Sequence, residues 1–495
     1  MINSAYDTLL DHLKTTAALQ QIGGIIGWDQ EVMMPDKGAP QRAEQNAALE
    51  SVIHARNIDQ RFPDWFDSID TDTLDVAGKV NVAEAKKSYA RSTKIPADLA
   101  SELARVTSAS QRVWADAREN SDFATFAPTL EKVLDLRRQE AACLAGSGGD
   151  LYDALLNDYE PGAKSAPLAE LLGSLRPGLT ELRGAIADKG IDVPKVQGEF
   201  DGDVQMAVAR RLATAFEYDW DAGRIDLAVH PFSSGNNNDS RITTRVDPKN
   251  VFNCYYSTIH EVGHSKYEQG MPAELAMQPA GQYASMGVHE SQSRMLENQI
   301  GRSRAFCEWM FGVMRDEMGD FGLNDAEALY CVVNRVESGF IRTEADELHY
   351  NLHVLLRFEL ERALIRDELQ VADLEAAWND NFKRDFGVEV PDAARGVLQD
   401  VHWSVGLFGY FPTYSLGNIY AGELFAQMQT VMPNLDEDFA KGDTSNALAW
   451  LGDNIHQKAH LAAPEQIIAD AVGHAPTQKP LMDYLERKFT DLYDL

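Results

Sequence analysis

The chain of 495 residues carries 45 basic against 77 acidic side chains, a net charge of −32, and 44% of it is hydrophobic. That balance argues against nucleic-acid and anionic-membrane partners, because phosphate backbones and acidic lipids need a basic surface. The acidity suits either a salty milieu or an ordinary acidic cytosolic surface, and the composition is that of a globular protein.

The N-terminal stretch MINSAYDTLLDHLKTTAALQQIGG has no basic start followed by an apolar run. No apolar run approaches ~18 residues, so neither a secretory signal nor a membrane span is expected. Cys143, Cys254, Cys307 and Cys331 are scattered without paired spacing, which fits a reducing compartment and makes cytoplasmic the expected location. Helical periodicity dominates, as in residues 344–369, where Leu348, Leu352, Leu355 and Leu356 form one stripe. The expected class is mainly α. Breaks are predicted at GSGGD (146–150), RPGL (176–179) and HPFSSGNNNDSR (230–241), with no repeat and no long linker, so residues 1–495 read as one integrated domain.

RITTRV (241–246) departs from the helical pattern: it is β-branched, follows an Asn-rich turn and reads as a strand. Asp239, Arg241 and Thr243 share one face of it. A polar-faced strand of this kind is either an exposed edge along which an extended peptide lies or a small structural hairpin.

The next segment, CYYSTIHEVGHSKYEQG, reads as a helix of about four turns in which a four-residue spacing returns His264 to the face of His260, with Glu261 beside them. Two such histidines can converge on zinc, and the HExxH arrangement supplies a carboxylate as base; ordinary solvated or core histidines are the alternative. Gly263 permits close approach of a neighbouring element, and Gly270 with Pro272 marks the helix end. A hydrolytic zinc needs a third protein ligand and an open position. Downstream, GQYASMGVHESQSRMLENQIGR (281–302) reads as a loop entering a second helix, with Glu290, Arg294 and Glu297 on one side. Spacing alone does not choose among Glu274, Glu290 and Glu297.

HEVGH together with GVHESQSR resembles the carboxypeptidase Taq family, the thermostable-type (M32) metallocarboxypeptidases. Further matches follow in that family's order: WDQEVMMPDKGAPQR (28–42), HPF (230–232), DSRIT (239–243), IRTEAD (341–346), GVLQDVHW (396–403) and GYFPTYSLGN (409–418). The resemblance spans Trp28 to Asn418. It implies His260, His264 and Glu290 as metal ligands and Glu261 as general base. It also implies a large helical fold with a deep groove, a small sheet beside the site, N-terminal helices (about 1–120) partly roofing the groove, and a homodimer. The implied activity is zinc-dependent release of single C-terminal residues, broad in side chain and poor on terminal proline; cobalt substitutes readily in such a donor set.

Removing one residue from a C-terminus requires a cation to hold the terminal carboxylate, and a buried arginine suits it. Arg342 of IRTEAD is the first candidate, positioned by Asp346 one turn on, with Arg241 and Arg245 behind it. A plain helix salt bridge is the alternative for the Arg342 pair. The tetrahedral oxyanion needs a further donor, for which similarity to the family favours His402 and Tyr414, with Tyr410 as alternate. Gln399 and Asp400 are orienting groups, Glu297 is a candidate brace for a ligand histidine, and His230 and Asp239 are candidates for lining the cleft. Two rival functions remain: an endo-oligopeptidase without the carboxylate anchor, and a catalytically silent peptide- or metal-binding protein.

Overall fold

Long runs with helical periodicity leave little of the chain for strands. The computed structural model, which describes residues 4–189, 193–337 and 339–495, is mostly helix with one three-stranded sheet. Six helices lead: α1 (Ser4–Val32), α2 (Ala39–Asn57), α3 (Phe62–Ser68), α4 (Val76–Lys94), α5 (Ala97–Glu119) and α6 (Phe123–Ala145). Leu9 of α1, Phe62 and Trp65 of α3 and Val82 of α4 form a small core of their own, while α5 and α6 insert Val106, Phe126 and Leu130 into the main one. Asn81 on α4 ties this layer to the body, donating to Gln278 at 3.0 Å and accepting from the Ala280 N–H at 2.9 Å.

The body centres on four helices: Val251–Gly270, here the histidine helix; Met286–Arg294, the glutamate helix; Glu347–Ile365; and Pro412–Val431. The predicted Leu348, Leu352, Leu355 and Leu356 stripe is buried, but so are His353, Arg357 and Glu361 on the other faces of the same helix. A helix submerged all round must find partners for its charges, and those partners shape the site. RPGL is no break: the chain turns at Ser174, and Pro177 sits in the first turn of helix Leu175–Lys189, where its missing N–H costs nothing.

The strand expected at 241–246 is β3 (Asp239–Thr244), two residues earlier. It is also not an edge. β1 (Ile225–Leu227) pairs with it in parallel and β2 (Ser233–Asn236) antiparallel, with Ile242 opposite both Ile225 and Ser233. The Asn-rich turn closes the β2–β3 hairpin with Asn237 at φ 42°, a left-handed position that asparagine tolerates. Gly235 is obligatory at φ 108°, since a Cβ there would lie 1.8 Å from the Asp239 carbonyl. Central placement explains the polar composition of β3. Ser240 meets the Ser265 hydroxyl at 2.5 Å, and Thr244 donates to the Cys254 carbonyl at 3.0 Å, so these hydroxyls fasten the sheet to the histidine helix. The edge strands are β1 and β2, and β2 is the one beside the histidine helix. No helix among the described residues is long and apolar enough to cross a membrane.

Candidate active site

The histidine helix runs 20 residues and ends at Gly270 as read from the sequence; it is longer because it starts three residues earlier, at the buried Val251. Gly263 lets the glutamate helix approach so closely that a Cβ would stand 2.5 Å from the Ser293 Cα. Gly417, on helix Pro412–Val431, does the same against Glu290, where a Cβ would lie 2.7 Å from the glutamate Cβ. Glu290 is thus pressed from both sides toward the histidines.

The two imidazoles and Glu290 converge. His260 Nε2 and His264 Nε2 are 3.2 Å apart, and Glu290 Oε2 lies 3.7 Å from the first and 3.4 Å from the second. Bonds of 2.0–2.1 Å to one tetrahedral ion would separate its donors by about 3.3 Å, so these three atoms fit as the corners of such a site. Among the described residues this is the one cluster of three donors able to hold a metal ion.

The remaining atoms of the ligands are occupied as well, and the Glu290 Oε2 corner also lies 3.0 Å from the Ser293 hydroxyl. His260 Nδ1 meets Glu297 Oε2 at 2.9 Å, and His264 Nδ1 meets His289 Nδ1 at 2.6 Å. Glu290 Oε1 accepts from Arg294 Nε at 2.7 Å, so the helix salt bridge weighed for that pair exists alongside the aim of Oε2 at the histidines. Glu297 lies in a π-helical turn, Met295–Ile300, that continues the glutamate helix and is braced by Arg302 at 3.2 Å. Burial opposes charge on both carboxylates, yet Arg294 and the histidines outweigh it: Glu290 is held well below the usual carboxylate range and Glu297 at about 2. Burial pushes His264 down to about 3, which keeps its ring neutral. Glu261, 7% exposed and beside the Ser233 hydroxyl of β2, is pushed up to about 7, chiefly by burial. Glu274 lies in a separate turn, Ala273–Leu275, outside this cluster.

A second charged cluster begins one residue pair away. Arg294 stacks on Tyr350 at 3.9 Å from the ring centre, and the Tyr350 hydroxyl accepts from Arg342 Nη1 at 3.2 Å. Arg342 lies in a short turn before helix Glu347–Ile365, 5% exposed, and its partner is Asp400, not Asp346. Asp346 caps that helix at Leu348 and His349 and pairs with the His349 ring, because the turn at Arg342–Glu344 takes Arg342 off the helical register. Asp400 accepts from Arg342 through Oδ1 at 3.0 Å and from Arg357 through Oδ2 at 2.6 Å, while Gln399 Oε1 takes the Arg342 backbone N–H. Two buried guanidiniums therefore share one carboxylate. The arginines hold Asp400 well below the usual range against the opposing effect of burial.

His402, Tyr410 and Tyr414 stand beside this pair. Tyr414 Oη is 3.3 Å from His402 Nε2, its ring lies 4.9 Å from the Arg342 guanidinium, and Tyr410 packs edge-on against it at 5.2 Å. Burial, with help from Arg342 and Arg357, pushes His402 down to about 4 against the pull of Asp400. Burial also holds the Tyr414 phenol in its protonated form. Glu361 anchors the loop carrying these groups, accepting from Trp403 Nε1, Tyr152 Oη and the Gly409 N–H.

The other predicted residues lie apart. Asp239 and Arg241 neutralise each other in a two-bond pair on β3 and line a cavity of about 200 Å³ against α1, where Arg241 stacks on Trp28 at 4.9 Å. His230 is exposed in the bend before β2. Sequence reasoning passed over Tyr350, Arg357, Glu268 and His289. For His289 a signal was present, since it directly precedes Glu290 in GVHESQSR.

Comparison with known proteins places this geometry in context. A family model described as carboxypeptidase Taq (M32) metallopeptidase matches residues 8–489. Thermostable carboxypeptidase 1 of Thermus thermophilus is 39% identical over 99% of both chains. The crystal structure of an M32 carboxypeptidase from Deinococcus radiodurans superposes with a TM-score of 0.95 at 36% identity, covering 99% of this chain and 100% of the other. Trypanosoma cruzi metallocarboxypeptidase 1 gives 0.96 at 32%, covering 98% of this chain and 99% of its own.

Proposed function

The chain belongs to the carboxypeptidase Taq (M32) family and is a metallocarboxypeptidase, and from that premise we propose that it is a zinc enzyme removing single C-terminal residues from peptides, with His260, His264 and Glu290 as ligands. The observation that carries this reading is the pairing of a His/His/Glu cluster with a buried guanidinium pair, linked through Arg294 and Tyr350. When bound, the ion polarises the scissile carbonyl and makes a water nucleophilic near neutral pH, and cobalt would serve as well.

Every other step falls to the protein's own groups. Glu261, raised to about 7, takes the proton of the attacking water and passes it to the leaving amine. Arg342 receives the substrate's terminal carboxylate, with Asp400 fixing its plane and Arg357 supplying the second positive charge. Tyr414 donates its hydroxyl proton to the oxyanion while its oxygen accepts from His402 Nε2, with Tyr410 beside them. The peptide extends along β2, whose first residue Ser233 adjoins Glu261, toward Asp239 and Arg241, with His230 at the rim. Broad side-chain tolerance, poor action on terminal proline, a cytoplasmic homodimer, and one domain over residues 1–495 roofed by residues up to about 120 complete the proposal.

The test is hydrolysis of an N-blocked tripeptide beside its C-terminally amidated twin, with and without a chelator and with zinc or cobalt restored. Release of one residue from the free acid alone, stopped by chelation, is expected. Internal cleavage of both would make the protein an endo-oligopeptidase. Absence of cleavage with metal bound would make it a silent binding protein.

A further inference from the structure

His260 and His264 are held differently. The Nδ1 of His260 meets a carboxylate directly, but the Nδ1 of His264 meets another imidazole, His289, which in turn meets Glu268 Oε1 through Nε2 at 3.0 Å. Glu268 lies one helical turn beyond His264 on the same helix, so His289 is wedged between two successive turns of the histidine helix. The other Glu268 oxygen accepts from Asn236 Nδ2 of β2 at 3.2 Å. All of Glu268, His289 and the bonds between them are buried, and the His289 ring is boxed by Tyr267 and Tyr283, with centres 5.2 and 5.0 Å away.

The direction of these bonds follows from which atoms can donate. Both oxygens of Glu268 accept, so His289 carries a proton on Nε2, and in the neutral ring its Nδ1 is then bare. His264 must then carry its proton on Nδ1, which leaves the Nε2 lone pair facing His260 and Glu290. We infer that His289 is a positioning residue for the metal, fixing the tautomer and ring plane of His264 and relaying the hold of Glu268 and Asn236 to it. One helix thus supplies a ligand, Glu290, and the brace of a second ligand from adjacent positions. β2, the strand on which the peptide is proposed to lie, is joined to the metal site through three side chains.

The inference rests on the proposed ligand set, and its test separates the two. Zinc affinity is measured by competition with a chromophoric chelator, and the cobalt form is recorded by its visible absorption, in wild type and in His289→Leu, His289→Asn and Glu268→Met. Leucine and asparagine have nearly the same shape, but only asparagine offers an oxygen close to where Nδ1 stood. His289→Leu should bind metal roughly 10- to 100-fold more weakly and alter the cobalt spectrum, with His289→Asn recovering most of both. Equal losses in the two variants would reduce His289 to packing and overturn the inference, as would wild-type affinity in His289→Leu. If His289→Leu does not fold, Glu268→Met, which leaves the ring in place, should weaken metal binding several-fold by freeing the tautomer; unchanged affinity there overturns the relay. Failure of the wild type itself to take up zinc or cobalt would defeat the ligand set and the brace together.

Discussion

At the metal end of the site, Glu261, Glu290 and Glu297 face two permanent cations, Arg294 and Arg302, beside the imidazoles of His260 and His264, so carboxylates outnumber the fixed positive charges; at the other end, Arg342 and Arg357 share the single carboxylate of Asp400, so that cluster is short of an anion. A buried imbalance of either sign is costly until something completes it. Under the proposed function, the difference matches what each end would receive: a metal ion on one side and a terminal carboxylate on the other. Both imbalances exist before any ligand arrives, so little reorganisation remains for the moment of binding.

The comparison breaks most sharply at Glu261. Glu261→Gln should lower kcat by about a thousandfold or more while leaving the metal content unchanged, read by peptide assay and elemental analysis. A variant that turns over normally would remove the proposed base. At the opposite end, Asp400→Asn leaves two buried guanidiniums without their counter-charge and should cost about 3–4 kcal/mol of stability, seen as a lower urea midpoint. An unchanged midpoint would mean that the pair is already satisfied elsewhere. Arg342→Ala should cut kcat/KM about a hundredfold on free-acid substrates and scarcely affect amidated ones. An equal loss on both would take Arg342 out of the anchoring role.

The smallest effect concerns the floor beneath the metal end. Glu160 is buried and accepts from the Gly287 N–H at the start of the glutamate helix, and burial pushes it up to about 7. The folded state therefore keeps this proton until about pH 7, whereas the unfolded chain releases it near the ordinary glutamate value of 4.5. The stabilising contribution is complete below that lower value and is lost as pH rises through the interval, at about 1 kcal/mol per pH unit. Glu160→Gln should flatten that part of the stability–pH curve; a slope equal to that of the wild type would assign the dependence to other groups.

Local pattern revealed the histidine helix, the hairpin turn and the apolar stripe of residues 344–369, because each depends on side chains a few positions apart. It also located Gly263 as a point of close approach. It left open whether β3 is an exposed edge or part of a small hairpin, and the structure gives the hairpin with β3 in the centre, because the short strands β1 and β2 carry no local signal of their own. It failed on the holder of Arg342 for a related reason: Asp346 was near in sequence, but Asp400, 58 residues away, is the carboxylate that reaches the guanidinium. Local pattern placed Asp239 and Arg241 on one face of the strand but did not show that they pair with each other there.

The sequence by itself determined that the chain is mainly helical, that His260 and His264 share a helical face with Glu261 beside them, and which motifs ally it with one peptidase family. Those properties follow from spacing along a helix and from residue identity. Spacing left Glu274, Glu290 and Glu297 open and the family motifs pointed to Glu290; only the tertiary structure shows that Glu290 reaches the histidines, that His289 stands behind His264, and that Arg342 and Arg357 divide Asp400. These depend on where helices cross, and crossing points are set by the packing of whole surfaces, such as Gly263 on Ser293 and Gly417 on Glu290.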